Sequence, residues 1–160
     1  MILVLTGTNP YSFHRLVEAV DAWEAVHRAG VLVQLGHTRV EPRHCRFQRF
    51  FERERLQELI GQADLVICQG GFGSLRDCLS AGKRVVAAPR DPRRGESVDD
   101  QEEIVRALDR AGRLVGLYDV RRLDEAIRRA ARLDPPSVGG SRIPQVIHDY
   151  VAALSLHNDR

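Results

Sequence analysis

The sequence predicts an α/β protein in which helices cover both faces of a parallel sheet. Short, uninterrupted apolar runs of about four or five residues recur along the chain, as expected for strands that are buried on both faces. Segments with apolar residues at helical spacing separate these runs, and glycine or proline marks most of the junctions. This alternation is typical of a sheet built from βαβ units.

Turn residues mark the end of each strand in the first half of the chain. The first strand stops at TGTNP, because glycine, asparagine and proline favour turns. The helix that follows is expected to end with Gly30 as its C-cap residue. The segment 37–49 is basic and has no clear period, so no element is predicted there. The predicted elements are a strand at 2–5, a helix at 12–29, a strand at 31–35, a helix at 52–62 and a strand at 64–68.

The alternation continues through the second half and predicts a Rossmann-like parallel sheet. The predicted elements are a helix at 74–81 closed by Gly82, a strand at 84–88, a helix at 99–111, a strand at 112–118 and a helix at 121–133. The run PPSVGG then predicts a linker. We therefore expect one domain over residues 1–134 and a separate segment, 135–160, with a helix near 143–156.

Composition is that of a soluble globular protein. Hydrophobic residues make up 43% and charged residues 29% of 160 residues, with a net charge of +2. So small a charge gives no electrostatic reason to expect nucleic-acid binding. Cys45, Cys68 and Cys78 lack the spacing of zinc ligands, so no metal site is predicted. The apolar run after Met1 is too short for a signal peptide and no run could span a membrane, so a cytoplasmic protein is expected.

Three loops are the first candidates for a binding site. Ligands of such sheets lie beyond the carboxyl ends of the strands, and the loops 6–11, 69–74 and 89–101 each follow a predicted strand. We expect all three loops to face one crevice. In the third loop, Asp100 and Gln101 can bond sugar hydroxyls, although Asp99 could simply cap the helix that begins there.

The second loop predicts a phosphate site. Gly70, Gly71 and Gly73 separate a buried strand from a helix, where backbone N–H groups and the helix dipole favour an anion. Ser74 either caps the helix or donates to a phosphate oxygen. Asp77, one helical turn later, can accept hydrogen bonds from ribose hydroxyls. Without a ligand, the glycines would simply form a tight turn, and Asp77 would be a solvated acid near the start of the helix.

Several well-known sites are not predicted. The sequence has no GxxxxGK[ST] run and no GxGxxG run after the first strand, which disfavours NTPase and nicotinamide chemistry. Ser74 is not part of a GxSxG elbow, and Cys68 and Cys78 occupy apolar positions typical of a core. No nucleophile or other catalytic residue is therefore predicted.

Three segments together resemble the C-terminal domain of family 28 glycosyltransferases. They are GTNPYSFHRLVEAVD, ADLVICQGGFGSLRDCLSAGKRVVAAPR and GESVDDQEE, and the resemblance extends over roughly residues 1–115. Within this family of MurG-like donor domains, the chain resembles especially the small stand-alone subunits of the PssE type. The resemblance implies the C-terminal half of a GT-B enzyme that binds a UDP-sugar and transfers the sugar with inversion to a lipid-linked acceptor, in polysaccharide or glycolipid synthesis. It implies no cofactor and no metal.

The resemblance also assigns residues to donor binding. Gly7 and Thr8 match the loop near the donor diphosphate, and Phe51 matches the position beside the uracil. Asp77 stands where MurG-like members carry a glutamate that holds the ribose, and Gln101 matches a glutamine that reaches the sugar. The positions matched in the glycine-rich loop are Gly71, Gly73 and Ser74.

The resemblance further implies a partner. A chain with only the donor half is expected to work with a membrane-associated, PssD-like subunit that binds the acceptor, and to reach the membrane only through it. The helix near 143–156 is the candidate contact. Two alternatives stay open because Asp77 is shorter than glutamate, the family's histidine before Gln101 is missing and His14 replaces an aspartate. One is a non-catalytic module that binds a nucleotide sugar or a partner.

The other alternative is a nucleotide phosphoribohydrolase of the LOG type. The run GGFGSLRD is similar to the PGGxGTxxE motif of those enzymes. Gln69 replaces the proline of that motif and Asp77 replaces its glutamate, so this activity is the less favoured one.

Overall fold

The computed structural model describes residues 1–135, and the strands in this part of the chain form one parallel sheet. The sheet order is β3-β2-β1-β4-β5-β6. The chain adds β2 and then β3 on one side of β1, and afterwards adds β4, β5 and β6 on the other side. This is the doubly wound order, and it confirms the Rossmann-like prediction. The strands are β1 Ile2–Leu5, β2 Val31–Gln34, β3 Arg46–Gln48, β4 Leu65–Gln69, β5 Val85–Ala88 and β6 Val115–Gly116. The predicted segment 135–160 lies outside the described residues except for Pro135.

Helices cover both faces of the sheet. They are α1 His14–His27, α2 Arg53–Gln62, α3 Phe72–Ser80, α4 Glu102–Arg110 and α5 Leu123–Ala131. Alternate side chains of β1 point to opposite faces of the sheet. Ile2 and Val4 pack with α1 and α5 on one face. Leu3 and Leu5 pack with α2, α3 and α4 on the other face. Burial on both faces explains why the central strands read as continuous apolar runs.

The doubly wound order fixes where a ligand can lie. β1 pairs along its whole length with β2 on one side and with β4 on the other. The strand order therefore reverses between β1 and β4, and their carboxyl ends, Leu5 and Gln69, border the crevice where such folds bind ligands. Two of the predicted crevice loops begin there.

Two local predictions were wrong. β3 was not predicted, because Arg46–Gln48 is an exposed edge strand that pairs only with β2 and needs no apolar run. Gly30 is not the C-cap of α1, since the helix ends at His27 and Arg28 takes the left-handed C-cap conformation with φ of 50°. Gly30 instead lies in the turn that follows, where its N–H donates to the buried carboxylate of Glu24 at 3.0 Å.

Gly7 and Gly30 offer a matched test of packing at the switch point. Both have φ above 80°, but a Cβ on Gly7 would lie 1.9 Å from Nε2 of Gln69, whereas a Cβ on Gly30 would meet nothing within 4 Å. We expect Gly30→Ala to cost about 1 kcal/mol of unfolding free energy through backbone strain alone. Gly7→Ala should cost about 2–4 kcal/mol, because it must also displace Gln69. Urea denaturation of both variants measures the difference, and equal losses would contradict it.

Candidate functional site

A buried arginine joins the loops at the carboxyl edge of the sheet. Arg90 follows β5 and is only 1% exposed. Its guanidinium donates to the backbone carbonyls of Thr6 at 2.5 Å, Tyr11 at 3.1 Å and Glu96 at 2.8 Å, and to Oε1 of Gln69 at 2.8 Å. These partners belong to the loop after β1, the end of β4 and the loop after β5. One side chain therefore holds all three predicted crevice loops together.

A second arginine and a glutamate complete this buried cluster. Both carboxylate oxygens of Glu96 accept from Arg15, at 2.8 and 2.9 Å, and one of them also accepts from the backbone N–H of Asp91. Burial lowers the pKa of Arg90 to about 10, while the negative charge of Glu96 acts in the opposite direction. Arg90 also lies 4.5 Å over the ring of Phe13. At neutral pH the cluster holds two positive charges against one negative charge beside the crevice.

Sequence reasoning missed Arg15, Arg90 and Glu96 as site residues. Arg15 lies in the predicted first helix, and Arg90 and Glu96 lie in the loop after the predicted strand 84–88. Nothing in the local pattern indicates that Arg15 meets the other two. The one available signal was a charged residue, Arg90, directly after a buried strand and a proline, at the edge where ligands bind.

Two glutamines connect the glycine-rich loop to the loop after β5. Oε1 of Gln101 accepts from the backbone N–H of Arg90 at 3.1 Å, and Nε2 of Gln101 donates to Oε1 of Gln69 at 3.4 Å. A Cβ on Gly70 would lie 2.9 Å from Cβ of Gln101, and one on Gly71 would lie 2.9 Å from Nε2 of Gln69. Gly70 thus allows a close approach between the end of β4 and the start of α4, and Gly71 leaves room for the side-chain amide of Gln69.

The N-terminus of α3 is open in the way that an anion site requires. Gly71 is its N-cap residue and no side chain among residues 1–135 caps the helix. Of the two roles considered for Ser74, the cap is therefore excluded, and donation to a phosphate oxygen stays a prediction. Ser74 lies at the third helical position, where its hydroxyl has no hydrogen-bond partner among residues 1–135. A Cβ on Gly73 would meet nothing within 4 Å. Asp77, one turn further on, is partly buried and pairs with Arg76 at 2.9 Å.

The remaining predicted residues lie around this centre. Gln101, not Asp99, is the N-cap residue of α4, and Oδ1 of Asp100 accepts from the N–H of Glu102 at 2.8 Å. Thr8 is exposed on the loop after β1, and Phe51 packs against the core on the side of α2. No hydrogen bond between described residues joins Thr8 or Phe51 to the two glutamines.

One further polar group in the first loop was missed by sequence reasoning. Oδ1 of Asn9 is buried and accepts no hydrogen bond from any residue in the range 1–135. A buried acceptor without a partner costs about 1–3 kcal/mol, so a ligand donor at this point would recover that energy.

A polar cavity of about 620 Å³ lies next to the buried cluster. It opens between the loop after β5 and the start of α4, and its walls include Arg93, Asp100, Glu102 and Tyr118. Burial, more than the nearby carboxylate of Asp109, raises the pKa of Tyr118 to about 12, so its phenol stays protonated. Charged walls of both signs suit a ligand with many hydroxyl groups better than an apolar one.

Arg90→Met tests the structural role of the buried arginine. The change leaves three backbone carbonyls and Gln69 without their donor, so we expect the free energy of unfolding to fall by about 3–5 kcal/mol. Arg93→Met is the matched control, because Arg93 is an exposed arginine of the same loop whose contacts are with Asp91. It should change the unfolding free energy by less than about 1 kcal/mol. Equal urea midpoints for the two variants would refute this role.

Within residues 1–135, no group of three or more histidine, cysteine, aspartate or glutamate side chains is arranged to hold a metal ion. The same residues contain no helix with the length and apolarity needed to cross a membrane.

Two solved glycosyltransferase structures share this fold. CalG4, the calicheamicin glycosyltransferase, superimposes with a TM-score of 0.61 at 17% identity over 82% of this chain and 33% of its own. The glycotransferase of kitacinnamycin superimposes with a TM-score of 0.58 at 18% identity, over 82% of this chain and 35% of its own. The chain thus spans about a third of the length of these proteins, and identities this low establish the fold alone.

Sequence comparison identifies the family. No curated protein sequence matches the chain. The profile of the glycosyltransferase family 28 C-terminal domain matches residues 1–134, which is nearly all of the part that the structure describes. The match ends where the sequence predicts the linker. The chain belongs to the glycosyltransferase family 28 C-terminal domain family.

Proposed function

We propose that this chain binds a UDP-sugar and presents it for inverting transfer to a lipid-linked acceptor. Membership of the family makes it a glycosyltransferase donor domain, for which a nucleotide-sugar donor is expected. The observation that supports the proposal most directly is the uncapped N-terminus of α3 at the switch point, beside the loops that Arg90 holds together.

The donor diphosphate is assigned to the start of α3. The first N–H groups of a helix have no partner inside it, and the helix dipole adds a partial positive charge. Gly73 leaves the approach to these groups free, and the unpaired hydroxyl of Ser74 can donate to a phosphate oxygen. Fixed donors of this kind stabilise the charge that grows on a departing diphosphate.

The nucleoside and the sugar are assigned to the flanking groups. Asp77 lies one turn into α3, where its carboxylate can accept hydrogen bonds from the ribose hydroxyls. Gln101 and Asp100 lie at the start of α4, and Asp100 also borders the polar cavity. Gly7 and Thr8, in the loop after β1, are assigned to the donor diphosphate, as the family resemblance implies. Phe51 is assigned to the uracil on the strength of the family resemblance.

The acceptor and the catalytic base are assigned to a partner. Family resemblance suggests a membrane-associated, PssD-like subunit, with this chain on the cytoplasmic side and in contact with the membrane only through that subunit. In this arrangement the chain contributes donor binding and leaving-group stabilisation, and the partner contributes the acceptor hydroxyl and the group that removes its proton.

Calorimetric titration with UDP, UDP-glucose, UDP-galactose and UDP-GlcNAc tests the proposal. We expect a uridine ligand to bind, and Gly73→Ala to weaken it by about tenfold or more, because the new methyl group blocks N–H contacts to a charged phosphate. Gly61→Ala is the matched control, since Gly61 also lies in a helix and a Cβ there would also meet nothing within 4 Å. Both variants should keep or slightly raise the thermal stability, because alanine favours the helix.

Two outcomes would contradict the proposal. One is the absence of binding to every UDP compound, both alone and with the partner subunit present. The other is release of adenine from AMP by the purified chain, which would instead establish the phosphoribohydrolase alternative. UDP-sugar binding without transfer in the presence of the partner would favour the non-catalytic module.

A further inference from the structure

The side-chain amide of Gln69 has a fixed orientation at the switch point of the sheet. Its oxygen accepts from Nε of Arg90 at 2.8 Å and from Nε2 of Gln101 at 3.4 Å. A guanidinium group can only donate, so the amide oxygen, and not the nitrogen, must face Arg90. The amide of Gln101 is fixed in the same way, because its own oxygen accepts from the backbone N–H of Arg90. The NH2 group of Gln69 therefore points away from both residues.

This NH2 group has no acceptor in the described part of the chain. Gln69 is only 8% exposed, and no hydrogen bond among residues 1–135 has its Nε2 as the donor. Oδ1 of Asn9 is the one fully buried side-chain polar atom without a partner in the same range. Nε2 of Gln69 is not sealed off in that way, so it reaches the open crevice. A nearly buried amide thus offers two N–H donors to a ligand there.

Glycines clear the space around the NH2 group. A Cβ on Gly7 would lie 1.9 Å from Nε2 of Gln69, and a Cβ on Gly71 would lie 2.9 Å from it. Gly7 follows β1, and Gly71 is the N-cap residue of the nine-residue helix α3, which has no side-chain cap among residues 1–135. Gln69 therefore adds side-chain donors beside the free backbone N–H groups of α3.

Positive charge behind Gln69 strengthens its donors. Arg15 and Glu96 form an ion pair at 2.8 Å, which leaves the charge of Arg90 in excess within the buried cluster. A cation that donates to an amide oxygen polarises the amide and makes its N–H groups better donors. Arg90 itself is only 1% exposed, so the donors that a ligand beside α3 can reach are those of Gln69.

We propose that the NH2 group of Gln69 binds an oxygen of the donor diphosphate. Two polarised N–H groups beside the start of a helix suit an anionic oxygen better than a neutral one. The assignment rests on the proposed function, and it adds to the donor site a side chain that the family resemblance does not assign. Arg90 is a positioning residue in this arrangement, because its guanidinium sets the direction of the amide without touching the ligand.

Gln69→Glu separates ligand binding from the structural role of Gln69. Glutamate keeps the shape of the side chain and the oxygen that Arg90 and Gln101 bond, but it replaces the two N–H donors by a negatively charged oxygen. We expect the melting temperature to stay the same or rise, since Arg90 then bonds a charged acceptor. Affinity for UDP in calorimetric titration should fall by about tenfold to a hundredfold, as for one lost hydrogen bond to a charged group.

Gln62→Glu is the matched control. Gln62 is exposed at the C-terminal end of α2, and the same change adds the same charge there. It should change UDP affinity by less than about twofold, because solvent screens an exposed charge. UDP-glucose, UDP-galactose and UDP-GlcNAc should lose the same factor as UDP in Gln69→Glu, since all of them carry the diphosphate. A loss confined to the ligands with a sugar would place the contact on the sugar and overturn the proposal.

The side-chain NH2 signals of Gln69 in NMR spectra of the unaltered chain give a test that needs no variant. We expect UDP to shift them, and inorganic pyrophosphate at constant ionic strength to shift them in the same direction. UDP binding that leaves these signals in place, or an unchanged UDP affinity in Gln69→Glu, would overturn the role of Gln69 and leave the proposed function standing. Pyrophosphate shifts in a chain that binds no UDP compound would support the anion contact and contradict the proposed function. No response to either ligand would overturn both.

Discussion

The burial of one guanidinium group is the constraint on which the rest of the site depends. Loops that cross the carboxyl edge of a sheet bring backbone carbonyls away from water, and each of these needs a donor. Arg90 provides the donors for carbonyls of Thr6, Tyr11 and Glu96, and for the amide oxygen of Gln69. The desolvation that lowers its pKa is partly offset by the nearby carboxylate of Glu96, and the guanidinium also lies 4.5 Å over the ring of Phe13.

This arrangement determines the shape of the crevice before any ligand arrives. Gln69 is held by Arg90 on one side and by Gln101 on the other, and it lies so close to Gly7 that only glycine fits there. The start of α3 is thereby fixed relative to the first loop. Donors that are already in place need no rearrangement when charge develops on a leaving group, which is the advantage that a transferase site requires.

The central strands and the helices between them could be predicted, because local sequence patterns determine them. The contacts between residues far apart in the chain could not. The central strands were recognised because burial on both faces leaves an uninterrupted apolar run, while β3 was missed because an exposed edge strand carries no such run. The glycine-rich loop was recognised from its position between a strand and a helix. Capping was predicted less well. The N-cap residues of α3 and α4 are Gly71 and Gln101, so neither Ser74 nor Asp99 occupies the capping position.

The buried cluster could not be read from the sequence for a physical reason. Arg15, Arg90 and Glu96 meet only because α1 and the loop after β5 pack against the same edge of the sheet, and no local period reports that packing. Arg15 and Arg90 of this cluster also border the polar cavity between the loop after β5 and the start of α4. We expect the cluster to act on the donor site by positioning these loops and not by contact with the reacting atoms.

Hydrogen–deuterium exchange of the Arg90→Lys variant tests most directly whether one side chain organises the crevice. Lysine keeps the positive charge but lacks the forked set of donors that reaches several carbonyls at once. In the variant we expect faster amide exchange in three places together: the loop after β1, the start of α3 and the loop after β5. Exchange in β2 and α5 should change little. Faster exchange confined to the loop after β5, which carries the substitution, would contradict it.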